Sequence, residues 1–215
     1  MYKRRLIPVL FLKNGWMVRS ESFRIHQIIG EPTLHAERMR QWNVDELMVL
    51  DISDGDNNFE HNRDDHKYKP VNNLLQFIER FSYECNMPLT FGGNIKSLQD
   101  IKLRIEHGAD KISINSFLYS MPNMINDAVR IFGKQAIVAS IDCKLMDSGE
   151  YSVFTEKGKK NINLNPKQWA KEVEKIGVGE ILLQFIDRDG KSNGYEVEVI
   201  NQICNSVNIP VIACS

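Results

Sequence analysis

The sequence contains no hydrophobic run long enough to cross a membrane as a helix, which would take about 20 apolar residues. The basic start Met1–Leu6 is followed by an apolar run that is too short for a secretory signal peptide. We therefore expect a cytoplasmic enzyme or enzyme subunit, with no membrane as a partner.

Cysteine and net charge are also scarce. The four cysteines, at positions 85, 143, 204 and 214, do not have the spacing of a metal site. Cys143 and Cys204 lie in apolar surroundings, so we predict buried, reduced thiols. The formal net charge is −1, which gives no electrostatic reason to expect nucleic acid as a partner.

The five histidines show no spacing typical of metal ligands. His61 and His66 lie in a polar, acidic segment that could bind a metal, but a solvated loop is the simpler interpretation. The sequence therefore predicts neither a metal nor a cofactor.

Short runs rich in Ile, Val and Leu alternate with amphipathic segments. Buried strands of a parallel sheet have this composition, because both faces of the sheet are covered. We predict strands at 6–12, 46–51, 88–91, 111–114, 136–142, 180–185 and 209–213. We predict helices near 32–42, 71–84, 97–107, 122–132, 166–176 and 195–206. This alternation indicates an α/β fold, either a (β/α)₈ barrel or a doubly wound sheet.

Internal repetition distinguishes these two architectures. Three pairs of segments match in the same order: 7–15 with 137–144, 44–55 with 178–190, and 87–89 with 209–211. A repeat of three successive strands favours a (β/α)₈ TIM barrel made of two duplicated half-barrels. We expect one domain over 1–215, with half-barrels at about 1–134 and 135–215.

Two segments interrupt the pattern, and both follow the carboxyl ends of strands. Residues 53–70 form a long polar loop, and 145–163 resemble a β-hairpin with its turn at Asp147–Gly149. The sequence ends at the seventh strand, whereas an eighth βα unit would need roughly 30–40 more residues. We therefore expect a barrel truncated after its seventh strand.

The carboxyl ends of the predicted strands carry polar residues and glycines, and this is the functional face of such barrels. Gly93 and Asn94 lie in a Gly-Gly turn before a helix, where backbone N–H groups can approach a phosphate. A plain tight turn is the alternative. Asn115, Asp187 and Gly190 follow other strands, and together they suggest a site for a polar small molecule.

Asp142 ends the fifth predicted strand and is the candidate general acid or base. The alternative is a carboxylate bonded to loop amides or to Lys144. Asp51 is a further carboxylate at this face, or else it orders the long loop that follows it. In the repeat, Phe11 stands at the position of Asp142, so the first half offers a phenyl ring where the second offers an acid.

Four charged residues lie at the opposite, amino ends of the strands. These residues are Arg5, Glu46, Lys111 and Glu180. Alternating charges there can form a closed ring of salt bridges at the barrel floor. Spacing alone leaves open whether such a ring is a stabilising plug, the usual meaning of polar residues there, or a gate.

Several motifs in a fixed order resemble the HisF family over the whole chain. They are Arg-Arg-x-Ile-Pro, Asp-Glu-Leu-x-x-Leu-Asp-Ile, Gly-Gly-x-Ile, Ala-Asp-Lys-x-Ser-Ile-Asn, Ile-Asp-x-Lys, Gly-Glu-Ile-Leu-Leu and Asp-Arg-Asp-Gly. HisF is the cyclase (lyase) subunit of imidazole glycerol phosphate synthase in histidine biosynthesis. The resemblance implies two phosphate sites, a HisH-like glutaminase docked at the barrel floor, and ammonia passing through a gate formed by Arg5, Glu46, Lys111 and Glu180.

The sequence departs from this family at catalytic and phosphate-binding positions. The family uses two opposed aspartates, and Phe11 replaces one of them while Asp142 matches the other. Arg19 stands at a family lysine, Asn94 replaces a phosphate-loop glycine, and Ser215 replaces a glycine of the second phosphate loop. The resemblance therefore supports one site for a phosphorylated molecule better than two.

Three segments, 7–15, 18–23 and 26–30, resemble the WbuZ subgroup, the second HisF-like proteins of surface-polysaccharide loci. This resemblance implies a glutaminase and an N-acetyl sugar amidotransferase as partners. Our hypothesis is an ammonia-conducting subunit for sugar amidation. The alternatives are a true cyclase of histidine biosynthesis that relies on Asp142, and a non-catalytic scaffold for the glutaminase.

Overall fold

The computed structural model describes residues 4–54, 71 and 73–214. The strands are, in chain order, β1 (Val9–Lys13), β2 (Trp16–Glu21), β3 (Ile25–Gly30), β4 (Leu47–Asp51), β5 (Leu89–Gly92), β6 (Lys111–Ile114), β7 (Ile137–Leu145), β8 (Tyr151–Thr155), β9 (Lys160–Asn161), β10 (Glu180–Phe185) and β11 (Val211–Cys214). The helices are α1 (Pro32–Gln41), α2 (Leu74–Cys85), α3 (Leu98–Glu106), α4 (Ser116–Ser120), α5 (Pro122–Phe132), α6 (Pro166–Ile176) and α7 (Val197–Cys204), and a 3₁₀ turn spans Lys134–Ala136.

All seven predicted strands and all six predicted helices are present, with ends shifted by up to three residues. Local chemistry explains several of these ends. Asn165 caps α6 by accepting a hydrogen bond from Lys167 N at 2.9 Å, and Pro166 occupies the first turn. Asn73 caps α2 in the same way through Gln76 N at 3.0 Å. The expected α/β class with parallel strands is confirmed.

The chain divides into two compact units. Of the described residues, the first contains 4–19, 27–54, 71, 73–94 and 99–112, and the second contains 20–26, 95–98 and 113–214. Strand β6 lies at the division, with its first two residues in the first unit and its last two in the second.

In the first unit, β1 and β5 pair in parallel with β4 on its two sides. Phe11 lies opposite Leu50, and Leu50 lies opposite Gly92. Every residue of β4 is buried, as expected for a strand covered on both faces. The parallel register brings the carboxyl ends of β1, β4 and β5 to one edge.

A strand that the sequence did not predict follows β1. Strand β2 pairs antiparallel with β1 and places Val18 opposite Phe11. Asn14 and Gly15 connect the two strands with φ of 50° and 84°. Two successive positive φ angles are those of the tight hairpin turn that Asn-Gly favours.

In the second unit, β7 is central. It pairs in parallel with β10 and antiparallel with β8, and β10 pairs in parallel with β11. The predicted hairpin after β7 is confirmed, with its turn held by Gly149 N donating to Met146 O at 2.9 Å. Trp169, Ala170 and Val173 give α6 a buried face.

No helix of the described residues is long and apolar enough to cross a membrane. All four cysteines are free thiols. Cys85 and Cys143 are buried, but the prediction of burial was wrong for Cys204, which is exposed at the last position of α7. The predicted loop lies outside the described residues from position 55 to 70, together with His61 and His66, and so does Ser215.

Candidate functional site

Asp51 ends β4 and is 2% exposed, so its carboxylate is bound by protein groups. Ser53 donates to Oδ1 from its amide at 3.0 Å and from its hydroxyl at 2.6 Å. Asn94 Nδ2 donates to Oδ2 at 3.0 Å. Asn14 N donates to Ser53 Oγ at 2.8 Å, so this network joins the segments that follow β1, β4 and β5.

The glycine turn, Gly92–Asn94, packs directly on the end of β4. Gly93 has φ of 92°, and a Cβ on it would lie 1.9 Å from Asp51 O, so this close approach requires glycine. Asn94 has φ of 50°, a left-handed conformation that Asn tolerates better than most residues. Its amide also donates to Ser53 O at 3.1 Å.

Arg104 of α3 lies beneath the glycine turn and was missed from the sequence. It is 4% exposed. Its Nη2 donates to Gly93 O at 3.3 Å and to Asn94 O at 3.2 Å, and Nη1 donates to Asp100 O at 3.1 Å. Burial lowers the pKa of the guanidinium, while the charges of Asp100 and Asp51 oppose that change. A lone arginine in a helical pattern carries no sequence signal that separates it from a solvated one.

Phe11 is half-buried on β1, between Val18 of β2 and Leu50 of β4. The next strand, β4, carries its acid at its last position, Asp51, in register with Leu12. Phe11 thus lies two residues before the end of β1, and its ring has no group that transfers a proton.

The amino ends of the strands in the first unit carry a charge cluster centred on the buried Glu46. Glu46 is 8% exposed and accepts from Arg5 Nη1 through Oε1 and from Lys111 Nζ at 2.9 Å through Oε2. These are three of the four charges that the sequence placed at the barrel floor. Glu180 is buried in the second unit, where it begins β10 opposite Val138.

Asp142 lies within β7 of the second unit and is 5% exposed. Burial raises the pKa of its carboxyl from 3.8 to about 7, a hydrogen bond from Ser140 Oγ at 3.4 Å opposes this, and the charge of Asp189 adds to it. A group that titrates near neutrality is suited to proton transfer. The alternative partner, Lys144, places Nζ 5.5 Å from the centre of the Phe154 ring.

The segment after β10 contains two carboxylates, Asp187 and Asp189, which bind different parts of the second unit. Asp187 Oδ2 accepts from Leu145 N at 2.6 Å, so it ties this segment to the end of β7. Asp189 is 8% exposed and accepts from Ser20 Oγ at 2.6 Å and Phe23 N at 3.2 Å. Asp189 was not singled out from the sequence, although it stands within the Asp-Arg-Asp-Gly motif.

The remaining predicted residues lie near these groups or at the surface. Gly190 has φ of 70° and packs against the backbone of Ser20. A Cβ on Gly190 would lie 2.2 Å from Ser20 O. Asn115 Nδ2 donates to Ser140 O at 3.2 Å. Arg19 is exposed on β2.

Gln184 lies beside Asp142 in the sheet and faces Cys214, whose thiol pKa is raised to about 11 by burial. In the part of the chain that the structure describes, no three His, Cys, Asp or Glu side chains are grouped as metal ligands.

Comparison with known proteins supplies the family. A model of the family described as "Histidine biosynthesis protein" matches residues 5–215. The imidazole glycerol phosphate synthase subunit HisF of Hydrogenobaculum sp. is 37% identical over 213 residues, covering 99% of this chain and 80% of the relative. The HisF subunit of Lactococcus lactis subsp. cremoris is 37% identical over 214 residues, with 99% and 78% covered.

A third relative, the HisF subunit of Sulfurisphaera tokodaii, is 38% identical over 213 residues, with 99% of this chain and 80% of the relative covered. The parallel α/β fold agrees with the TIM-barrel fold that the resemblance implied. Coverage of almost the whole chain by these relatives and by the family model makes the assignment firm: the chain belongs to the HisF family.

Proposed function

We propose that this chain is a HisF-type subunit that takes ammonia from a HisH-like glutaminase and conducts it onward for amidation of a surface-polysaccharide sugar. The observation that carries this proposal is Phe11. It replaces one of the two acids that the cyclase reaction is expected to use, and loss of such a group typically costs roughly 10²–10⁴-fold in rate.

The charge cluster at the amino ends of the strands supports the ammonia-conducting part of this proposal. Arg5 and Lys111 both pair with Glu46, which is itself buried. Burying charges is costly, so their presence in a chain that lacks an acid at position 11 calls for a reason other than cyclase chemistry. With Glu180 they form the proposed gate, and a stabilising plug is the competing interpretation.

The proposed partners follow from this role. They are a HisH-like glutaminase that supplies ammonia and an N-acetyl sugar amidotransferase that uses it, in the manner of the WbuZ subgroup. The glycine turn is the proposed site for a phosphorylated small molecule, because its backbone N–H groups lie at a strand end just before α3. Arg19, Asn115, Asp187 and Gly190 are separately proposed to bind phosphate or substrate, and Ser215 stands at the second phosphate loop of the family.

A true cyclase of histidine biosynthesis is the second candidate, and the relatives favour it directly. All three quoted relatives are HisF subunits of imidazole glycerol phosphate synthase. Asp142 retains a carboxyl with a pKa of about 7, which can act as acid or base near neutral pH. In this case one carboxylate would perform the proton transfers.

A cyclase assay separates the two candidates. The purified chain is given the cyclase substrate of imidazole glycerol phosphate synthase and an ammonium salt, with Hydrogenobaculum HisF as the positive control. We expect turnover at least 100-fold below that control, and Phe11→Asp should raise it. Phe11→Asn, which is polar but cannot transfer a proton, is the matched control. Turnover near that of the control enzyme would refute the amidation proposal and establish the cyclase.

A further inference from the structure

Arg104 is an unusual residue for its place. It is 4% exposed, yet its Nε has no hydrogen-bond partner among the described residues. The nearest carboxylate oxygen that it pairs with, Asp100 Oδ1, is 4.0 Å away. A buried charge with one unsatisfied donor is expensive, and an apolar side chain would fill the same space at lower cost.

The hydrogen bonds that Arg104 does make are concentrated on the glycine turn. A single nitrogen, Nη2, holds two successive carbonyls, Gly93 O and Asn94 O. In a planar trans peptide the N–H points opposite to the C=O. Since Gly93 O and Asn94 O both face the guanidinium, the N–H of Asn94 and the N–H of Ile95 both point away from it, toward the same side. Successive N–H groups arranged in this way form a concave binding site for anions.

Asn94 secures the same turn from another side. Its Nδ2 bridges Asp51 Oδ2 at 3.0 Å and Ser53 O at 3.1 Å, so the turn is tied to the end of β4. Because Asp51 also accepts two hydrogen bonds from Ser53, its carboxylate is occupied by the protein. Asp51 thus holds the turn in place, and its negative charge is balanced by the nearby charge of Arg104.

We propose that Arg104 is a positioning residue that fixes the backbone N–H groups of the glycine turn for a phosphate, with Asn94 and Asp51 as the opposing clamp. This inference rests on the phosphate site of the proposed function, but not on the fate of the ammonia. Arg104 acts from behind the turn through its carbonyls and does not touch the ligand.

Titration of the ¹⁵N-labelled chain with inorganic phosphate at constant ionic strength tests this directly. The readout is the amide shift of Asn94 and Ile95, the two N–H groups whose carbonyls Arg104 holds, so neither glutaminase nor cyclase substrate is needed. We expect saturable shifts for the unaltered chain. In Arg104→Leu the phosphate dissociation constant should rise about tenfold or more, as expected when charged hydrogen bonds to the turn are lost.

Three further variants make the result specific. Arg104→Lys should recover part of the affinity, because an ammonium can also donate to both carbonyls. Arg130→Leu removes the same charge from the exposed end of α5 and should bind phosphate like the unaltered chain. Arg104→Met replaces the leucine variant if the latter does not fold. Thermal unfolding of each variant is recorded alongside.

A purely structural arginine would give a different pattern: lower stability in Arg104→Leu with phosphate affinity unchanged. That result, or the absence of saturable shifts at Asn94 and Ile95 in the unaltered chain, overturns the inference. Both outcomes are measured without the cyclase assay. The role of Arg104 can therefore be refuted whether or not the amidation proposal is correct.

Discussion

Asp142 shows how burial alone changes the role of a residue. Its carboxyl is 5% exposed and has a pKa of about 7 instead of 3.8. The folded protein therefore holds a proton that the unfolded chain releases between these two values. By linkage, this group makes the folded state less stable as pH rises from about 4 to 7, and it has no further effect above that range.

Asp142→Asn should remove this dependence. Relative to the unaltered chain, the free energy of unfolding of the variant should rise progressively between pH 4 and 7 and then level off, with a total gain of up to about 4 kcal/mol. Urea unfolding at pH 5, 6, 7 and 8 measures it. Asp127→Asn, which alters a half-exposed carboxylate on α5, is the control. Curves for Asp142→Asn that run parallel to those of the unaltered chain would contradict the buried, protonated carboxyl.

The sequence identified Asp142, Asn94 and Gly93 because each follows a predicted strand, and strand ends are where barrel sites lie. It did not identify Arg104 or Asp189. Arg104 matters because of which carbonyls it meets, and a helical pattern does not contain that information. Asp189 matters because Ser20 and Phe23 fold back onto it, more than 160 positions away in the chain.

At the scale of elements, the glycine turn depends on a close approach between two strands. A Cβ at Gly93 would meet the backbone of Asp51, whereas one at Gly149 would meet nothing within 4 Å, although both glycines have φ between 80° and 95°. Comparing Gly93 with Gly149 therefore separates the free-energy cost of a side chain at positive φ from the cost of a steric clash with β4.

Gly149→Ala should lose about 1–2 kcal/mol of unfolding free energy, the usual cost of an alanine in this conformation. Gly93→Ala should lose that amount and a further 1–3 kcal/mol or more, because β4 and β5 must separate to admit the methyl group. Urea unfolding of both variants gives the difference. Equal losses would mean that the turn does not press on β4.

Two hairpins illustrate what could be predicted from sequence at this scale. The turn at Asp147–Gly149 was predicted because the segment 145–163 interrupts the regular alternation of strands and helices. At Asn14–Gly15 a turn was expected but not the strand that returns from it, because the apolar run before the turn was assigned to a barrel strand that should continue to a helix. Asn-Gly is itself a strong hairpin signal, so β2 was predictable from local turn chemistry.

At the scale of the whole molecule, the repeat of three successive strands was enough to predict the α/β barrel class. The pairing of the charges at the amino ends of the strands was harder to predict, because it depends on the register between neighbouring strands. Arg5, Glu46 and Lys111 are separated by 41 and 65 positions and still meet.

Coupling between glutamine hydrolysis and ammonia use is the whole-molecule test of this cluster. In a complex reconstituted with a HisH-like glutaminase and the ammonia-using enzyme, Glu46→Gln leaves Arg5 and Lys111 facing a neutral amide. We expect several-fold more free ammonia per glutamate formed, because a gate without its central charge no longer directs ammonia. Enzymatic assays of both products measure this ratio.

Glu172→Gln is the matched control, since Glu172 pairs with Lys175 on the exposed face of α6. It should leave the ratio unchanged. If Glu46→Gln lowers the unfolding free energy but leaves the ratio at the control value, the cluster is a stabilising plug. A scaffold role would leave both the ratio and ammonia transfer insensitive to every charge in the cluster.

The clamp around the glycine turn also constrains how this chain can change over generations. A buried arginine is tolerated only while two carbonyls face it, and they face it only while Asn94 and Asp51 hold the turn. Loss of Arg104 first would leave those carbonyls without their donor, and loss of Asn94 first would release the turn and leave the guanidinium with Asp100 O as its backbone acceptor. Neither residue can drift alone, so the two positions are expected to be inherited, and replaced, together.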